Sequence, residues 1–300
     1  MKPYFVADKT TDRKAGLNLV YLRRMSVPEI ANEPQTEAPD AQESIVNAIQ
    51  SVLLKVILPV ILLVFLWHLI STISGSSLEE VLAALIRLVT EGDSEGYFLI
   101  DHVRMSLTRV VIGFSAAVAT AIPLGIAIGR YRLVDSILGP IVEAMRPIPP
   151  IAWIPLAILM FYRNMLGAQV FIIWVGAFFP ILTNTVTGVK RTEPVHIDSA
   201  KTFGASEAQI LSKIVVPSAG PEIFAGLRIG FGIGWMCLVA AEMIGGGLGL
   251  GYLVLIMQQV GRTGAVIFSM LLIGLIGFLI TYFFLFIEKR LIKWRQIVSV

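Results

Sequence analysis

The stretch Thr192-Glu-Pro-Val-His-Ile-Asp-Ser-Ala-Lys-Thr-Phe-Gly-Ala-Ser-Glu-Ala-Gln-Ile-Leu-Ser-Lys-Ile-Val-Val-Pro217 decides how the chain is read. Pro194 suits the first turn of a helix, where its missing N–H is an orphan anyway. Ile197, Ala200 and Phe203 then recur at three-residue spacing, which predicts one apolar face. Gly204 stands where a left-handed C-terminal cap is expected. Ser206 and Gln209 form an S-x-x-Q capping box for a second helix, which Pro217 is expected to end. The stretch is therefore a helix–turn–helix, and its small apolar face calls for a protein partner. Insertion into a nucleic-acid groove is the rival reading, but its flanks argue against that.

Both flanks are apolar runs long enough to cross a bilayer. About 20 residues at 1.5 Å each cover the ~30 Å hydrocarbon core. Six stretches qualify, at Val52–Ser74, Met105–Gly129, Ile137–Phe161, Ala168–Thr187, Ile223–Ile244 and Ala265–Ile287. Composition agrees: 56% of 300 residues are hydrophobic and 15% are charged, with a mean hydropathy of +0.79, whereas a soluble domain carries about 25% charge. The third run holds Pro147, Pro149, Pro150 and Pro155, so it is expected to begin as a broken or interfacial helix. No secretory h-region precedes Ser51, so the first run is expected to stay as a span. The lone Cys237 excludes a disulfide framework and reads as a packing residue.

Lys and Arg placement sets the orientation. With a cytoplasmic N-terminus, the inner segments hold Arg130, Arg132, Arg146, Lys190, Arg191, Lys201, Lys213, Arg228, Lys289, Arg290, Lys293 and Arg295. Outside fall mainly Arg87, Arg163 and Arg262, so both termini are expected in the cytoplasm. Residues 1–50 read as a largely disordered cytoplasmic leader, because Pro28–Glu43 has too few apolar anchors to offset its ordering entropy. Residues 51–295 form the transmembrane domain. The segment Leu78–Val89 repeats leucine and valine at helical spacing opposite Glu79, Glu80 and Arg87, which predicts an amphipathic helix on the outer surface.

The loop now resembles a known family. Asp198-Ser199-Ala200, Gly204 four residues on, and Ile214-x-Val216-Pro217 match the E-A-A-x-x-x-G-x(9)-I-x-L-P loop of bacterial ABC importer permeases, with Asp for Glu, Ser for the first Ala and Val for Leu. The segments Arg146-Pro-Ile-Pro-Pro-Ile-Ala-Trp-Ile-Pro-Leu156, Gly176-Ala-Phe-Phe-Pro-Ile-Leu-Thr-Asn184, Gly226-Leu-Arg-Ile-Gly230 and Val239-Ala-Ala-Glu-Met-Ile-Gly-Gly-Gly-Leu-Gly-Leu-Gly-Tyr-Leu253 are similar to the nitrate/sulfonate/taurine/bicarbonate branch. The resemblance runs from about Val52 to Arg290. It departs at Met160-Phe-Tyr-Arg-Asn164, where many members carry Trp-Phe-Gly-x-Gly.

The resemblance implies an all-α polytopic fold, the type I ABC importer permease, with six transmembrane helices and a cytoplasmic coupling helix between spans four and five. It implies that Asp198, Ser199, Ala200, Lys201, Phe203, Gly204, Ala205 and Ser206 meet an ATP-binding subunit. The implied partners are ATP-binding subunits, a periplasmic or lipid-anchored solute-binding protein, and a second permease, identical or paralogous, in a bacterial-type inner membrane. ATP and Mg would be used by the partner; no GxxxxGK[ST] occurs here, so this chain is expected to bind no cofactor and to catalyse no reaction. The implied function is import of a small anion. A non-anionic organic solute, or a secondary transporter, is the alternative.

Charges within spans are costly, about 2.5–3.5 kcal/mol each at the helix centre, and so mark candidate sites. Arg109, Arg146, Glu242 and Asn184 are candidates for the translocation path or gate. Arg109 and Glu242 both fall near outer span ends, where they either pair structurally, the favoured reading, or supply a field for an anion. Glu143 and Arg146 read as a local i, i+3 pair. Gly113, Ala117, Ala121, Gly125 and Gly129, and Gly226, Gly230 and Gly234, repeat every four residues; packing within one subunit is favoured over a dimer seam. The run Gly245–Gly251 follows a span rather than a strand, so a tight outer turn is expected instead of a dinucleotide loop.

Overall fold

The computed structural model describes residues 77–291 and scattered positions between 57 and 75. All elements below belong to the compact unit Leu69–Val300. The expected leader, the first span Val52–Ser74, Lys293 and Arg295 lie outside the fully described stretch.

The described chain is helical: α1 (Leu78–Thr90), α2 (Leu99–Arg130), α3 (Arg132–Met145), α4 (Pro150–Met160, opening with a 3-10 turn), α5 (Met165–Lys190), α6 (Pro194–Thr202), α7 (Glu207–Gly245), α8 (Leu250–Gln259) and α9 (Thr263–Leu291). Among the described residues, α2, α5, α7 and α9 are long and apolar enough to cross a membrane. The α3–α4 pair makes a fifth only as a broken span, bent by 91°. The prolines at 147, 149 and 150 cause that break, since each removes an amide donor and biases the residue before it away from helix.

The central helix is α5, packed between α2 and α7 and holding the fully buried Ile172, Ile173, Ile181 and Leu182. Close approach is possible because the small residues recur at helical spacing. A Cβ on Gly113, Gly125 or Gly129 of α2 would lie 2.7, 2.7 and 2.6 Å from Ile173, Thr185 and Val189 of α5. On α7, a Cβ on Gly226 or Gly230 would meet Asn184 or Ile181 at 2.8 Å. Both small-residue stripes thus serve packing inside this chain, where dispersion rather than the hydrophobic effect holds helices together.

At the helix end away from the 192–217 loop, α1 lies against α9, its Ala84 and Leu88 packing with Ala265 and Leu253. Ser77 caps α1 by accepting the Glu80 N–H at 3.2 Å. The amphipathic helix anticipated at Leu78–Val89 is therefore present.

One boundary differs from expectation. Pro217 does not end the second loop helix; the helix runs on from Glu207 to Gly245 as one 39-residue element. A π turn over Leu211–Val215 absorbs the proline, with the Val216 N–H bonding the Leu211 carbonyl five residues back. Widening the turn there relieves the clash that a proline ring makes with the turn before it.

Candidate functional site

Three groups of residues carry the candidate chemistry. The first is the loop. Glu193 and Pro194 open α6, and Gly204 closes it at φ +77°. The Gly204 N–H bonds the Lys201 carbonyl at 2.9 Å, and the Ala205 N–H bonds Ala200 at 3.0 Å. Ser206 and Gln209 then form the reciprocal box, with the Ser206 N–H donating to Gln209 Oε1 at 2.8 Å and the Gln209 N–H to Ser206 Oγ at 3.3 Å. Ile197, Ala200 and Ala205 pack on Val189, Ile210 and Val215, so α6 is held by its inner face. Asp198, Ser199, Lys201 and Ser206 are exposed.

Phe203 departs from the expected apolar face. It is 89% exposed, because it occupies the C-cap, where the backbone leaves the helix (φ −83°, ψ 9°). Val195 is 69% exposed on the same helix. Two large hydrophobes thus project among the exposed His196, Asp198, Ser199 and Lys201, away from the packed face of Ile197 and Ala200. Ion pairs fasten the surroundings: Arg130 to Glu207 at 2.7 Å, Lys190 to Asp135 at 2.8 Å and Arg191 to Glu222 at 2.9 Å. They link the loop and its adjoining helix ends to α2, α3 and α7.

The second group lies at the opposite end. Arg109 Nη1 donates to Glu242 Oε1 at 2.8 Å and also to the Leu248 carbonyl. Ser106 Oγ donates to Glu242 Oε1 at 2.8 Å, and the Gly251 N–H to Oε2 at 2.9 Å. The Leu250 N–H donates to Ser106 Oγ at 2.9 Å. His102 Nε2 lies 3.0 Å from Asp93 Oδ2, while its Nδ1 faces the Gly249 backbone. Glu242, Ser106 and His102 are fully buried and Arg109 is 6% exposed.

This cluster ties the glycine turn between α7 and α8 down onto α2. Room exists for it only because Gly249 and Gly251 lack side chains. A Cβ on Gly249 would stand 2.4 Å from Glu242 Cδ, and one on Gly251 would stand 2.3 Å from the Val239 carbonyl oxygen. Sequence reasoning named Arg109 and Glu242 but missed Asp93, His102 and Ser106. The signal for two of them was present: His102, Ser106 and Arg109 follow at spacings of four and three, a polar stripe on one face of an apolar helix.

The third group is a pair of cavities. One of about 380 Å³ is lined by Arg146, Ile148, Phe179, Asn184, Ile229 and Ile233 among others, where the α3–α4 break meets α5 and α7. The second, of about 500 Å³, is lined by Asp135, Glu143, Lys190 and Thr187, nearer the loop. Arg146 and Thr183 border both. The Arg146 side chain is 56% exposed and pairs with Glu143 at 4.0 Å, the local i, i+3 pair expected from the sequence. Asn184 donates to the Pro180 carbonyl at 2.8 Å. Arg146 and Asn184 therefore share one cleft, whereas Arg109 and Glu242 border neither cavity and are spent on each other.

Comparison with known proteins places this architecture. Residues 121–295 match the model of the binding-protein-dependent transport system inner membrane component family. A permease protein of an ABC transporter from Methanocaldococcus jannaschii is 41% identical over 83% of this chain and 95% of its own length. The taurine transport system permease TauC of Escherichia coli is 36% identical over 78% of this chain and 86% of its own. The nitrate import permease NrtB of Synechocystis is 32% identical over 81% and 91%. Among solved structures, the MetNI methionine ABC transporter aligns with a TM-score of 0.52 at 21% identity, over 65% of this chain and 94% of that one, a likeness of fold. With a helix–turn–helix set between two spans, stripes of small residues packing those spans, and relatives matched over most of its length, the chain belongs to the binding-protein-dependent transport system inner membrane component family, the permeases of ABC importers.

Proposed function

We propose that this chain moves a small anion inward across a cytoplasmic membrane, driven by ATP hydrolysis on separate subunits that dock on α6. The observation carrying the reading is α6 itself. It is a short helix held outside the apolar spans, capped by a left-handed glycine, with Val195 and Phe203 exposed among the described residues. Large exposed hydrophobes set among charges are what a protein interface uses as anchors. The loop end is the cytoplasmic end in this reading, in line with the Lys and Arg bias. A solute-binding protein delivers at the other end, and a second permease completes the path.

The anion reading rests on the relatives, which include taurine, nitrate and bicarbonate permeases, and on the cleft. Arg146 is its cation, and Asn184 offers an amide beside it. A guanidinium presents forked donors suited to planar or tetrahedral oxyanions. Passing Arg146, the solute enters the second cavity, where Lys190 and Asp135 neutralise each other.

Gly204→Val tests the coupling role. Nothing stands within 4 Å of a Cβ at Gly204, so the strain is purely in the backbone at φ +77°. A β-branched residue there distorts the cap and tilts α6 without unpacking the spans. Uptake is expected to collapse, and the ATP-binding subunit to be lost on purification, at normal membrane levels of the variant. Undiminished uptake together with full subunit retention would sink the assignment.

A further inference from the structure

A third cavity lies on the other side of the cleft wall. It measures about 250 Å³ and is bounded by α2, α3, α4 and α5. Every residue lining it is apolar or aromatic, including Leu138, Met145, Trp153, Phe171, Trp174 and Phe178. The aromatic wall is continuous: Trp153 meets Phe171 edge-on, Phe171 stacks on Trp174 at 5.8 Å, and Trp174 lies 4.8 Å from Phe178. The space is open on one side and lined throughout by apolar atoms, so water gains nothing there. An apolar cavity of about 150 Å³ already stays dry and binds benzene.

We infer that this cavity is a site for one acyl chain of a bilayer lipid. The mouth supplies the first reason. Ile141 lines the cavity and is 52% exposed, and on its helix Leu133 and Ile137 are 73% and 57% exposed. The cavity is thus continuous with an apolar outer surface of a membrane-embedded chain, and a hydrocarbon tail enters it without crossing water. Trp153 supplies the second. Its indole N–H is buried and has no hydrogen-bond partner among the described residues, which costs about 1–3 kcal/mol for a polar group left unsatisfied. An occupant with an acceptor oxygen at the head of a hydrocarbon chain, as an acyl ester has, suits that donor.

The site has a consequence for transport. Val175 and Phe179 line both this cavity and the Arg146 cleft, so one layer of side chains separates lipid from solute path. A chain seated in the cavity backs that wall beside the 91° break between α3 and α4 and resists its collapse. The cavity is argued from its own lining, and its test does not depend on which solute is carried.

Tryptophan fluorescence reads the site directly. Single-tryptophan variants retaining Trp174 or Trp235 are reconstituted in phosphatidylcholine brominated along its acyl chains. Trp235 is the internal control, since it is buried against Phe231 and donates to the Ile273 carbonyl at 3.2 Å. Quenching of Trp174 is expected to exceed that of Trp235 at least twofold, and Leu138→Phe, which fills the cavity, should abolish the excess. Equal quenching of the two tryptophans overturns the proposal, as does an excess that survives Leu138→Phe or a signal lost because a second copy fills the space. Should the single-tryptophan variants not fold, the chain with all its tryptophans is photolabelled with phosphatidylcholine carrying a diazirine on its acyl chain. Adducts at Leu138, Met145 or Phe178 support the site; adducts on α3 confined to Leu133 and Ile137 contradict it.

Discussion

Replacing Arg109 by Gln removes the one cation from a carboxylate that has no access to water. Glu242 is fully buried, and its oxygens receive bonds from Arg109, Ser106 and the Gly251 N–H. Without the guanidinium, two neutral donors remain to hold a full negative charge. Removing one partner of a buried pair costs roughly 3–5 kcal/mol, or about a hundredfold or more in the folded ratio. The loss has a second part, because Arg109 also binds the Leu248 carbonyl and so fixes the turn between α7 and α8. Arg109→Gln is therefore expected to lower the amount of protein in the membrane and its thermal inactivation temperature in detergent. Glu242→Gln alone should do the same by leaving the cation unpaired. The double variant should recover much of the loss, because two neutral amides can share the site, and the thermodynamic cycle should show a coupling of about 2 kcal/mol or more. An Arg109→Gln protein with wild-type level and stability but no uptake would refute the structural clamp and return Arg109 to the solute path.

Further consequences are checked more simply. Gly249→Ala, whose Cβ would lie 2.4 Å from Glu242 Cδ, should destabilise the protein by about 2 kcal/mol or more in a thermal inactivation assay, whereas Gly232→Ala, with open space around it, should be neutral. Arg146→Gln should leave the protein level unchanged and raise the apparent KM for the solute at least tenfold, a cost of about 1.4 kcal/mol; an unaltered KM would remove Arg146 from the path. Cysteines placed at Ser206 and Thr263 should differ in whole cells, Thr263 reacting with an impermeant thiol reagent and Ser206 resisting it, and labelling at Ser206 would invert the orientation.

How much of this was legible in the residues depends on how local the determinants are. The α6 cap, the capping box at Ser206 and the helix at Leu78 rest on contacts three to five residues apart, which a sequence displays directly. Pro217 misled because its cost can be relieved by a π turn, and that depends on the buried packing of Ile210 and Val215. Phe203 misled because periodicity assumes a helix that continues, whereas the chain leaves the helix at that residue. The clamp was half legible: two charges in apolar spans stand out, but Ser106 and Arg109 meet Glu242 only through folding across 136 and 133 positions in sequence, and Asp93 enters through His102, nine residues on. The cavity around Trp153 and Trp174 left no signal, since a stripe of aromatics reads as ordinary core until the space beside it is measured.

The central claim is that this chain is the membrane path of an ATP-driven anion importer. Its most direct test is reconstitution of the chain in proteoliposomes with ATP-binding subunits and a solute-binding protein that co-purify with it. Uptake of a labelled nitrate, bicarbonate or sulfonate solute is then measured with ATP and Mg on the side facing α6. Uptake that requires both ATP and the binding protein, and that Arg146→Gln depresses at subsaturating solute, is the predicted result. Solute accumulation that proceeds without ATP under an ion gradient alone would contradict it.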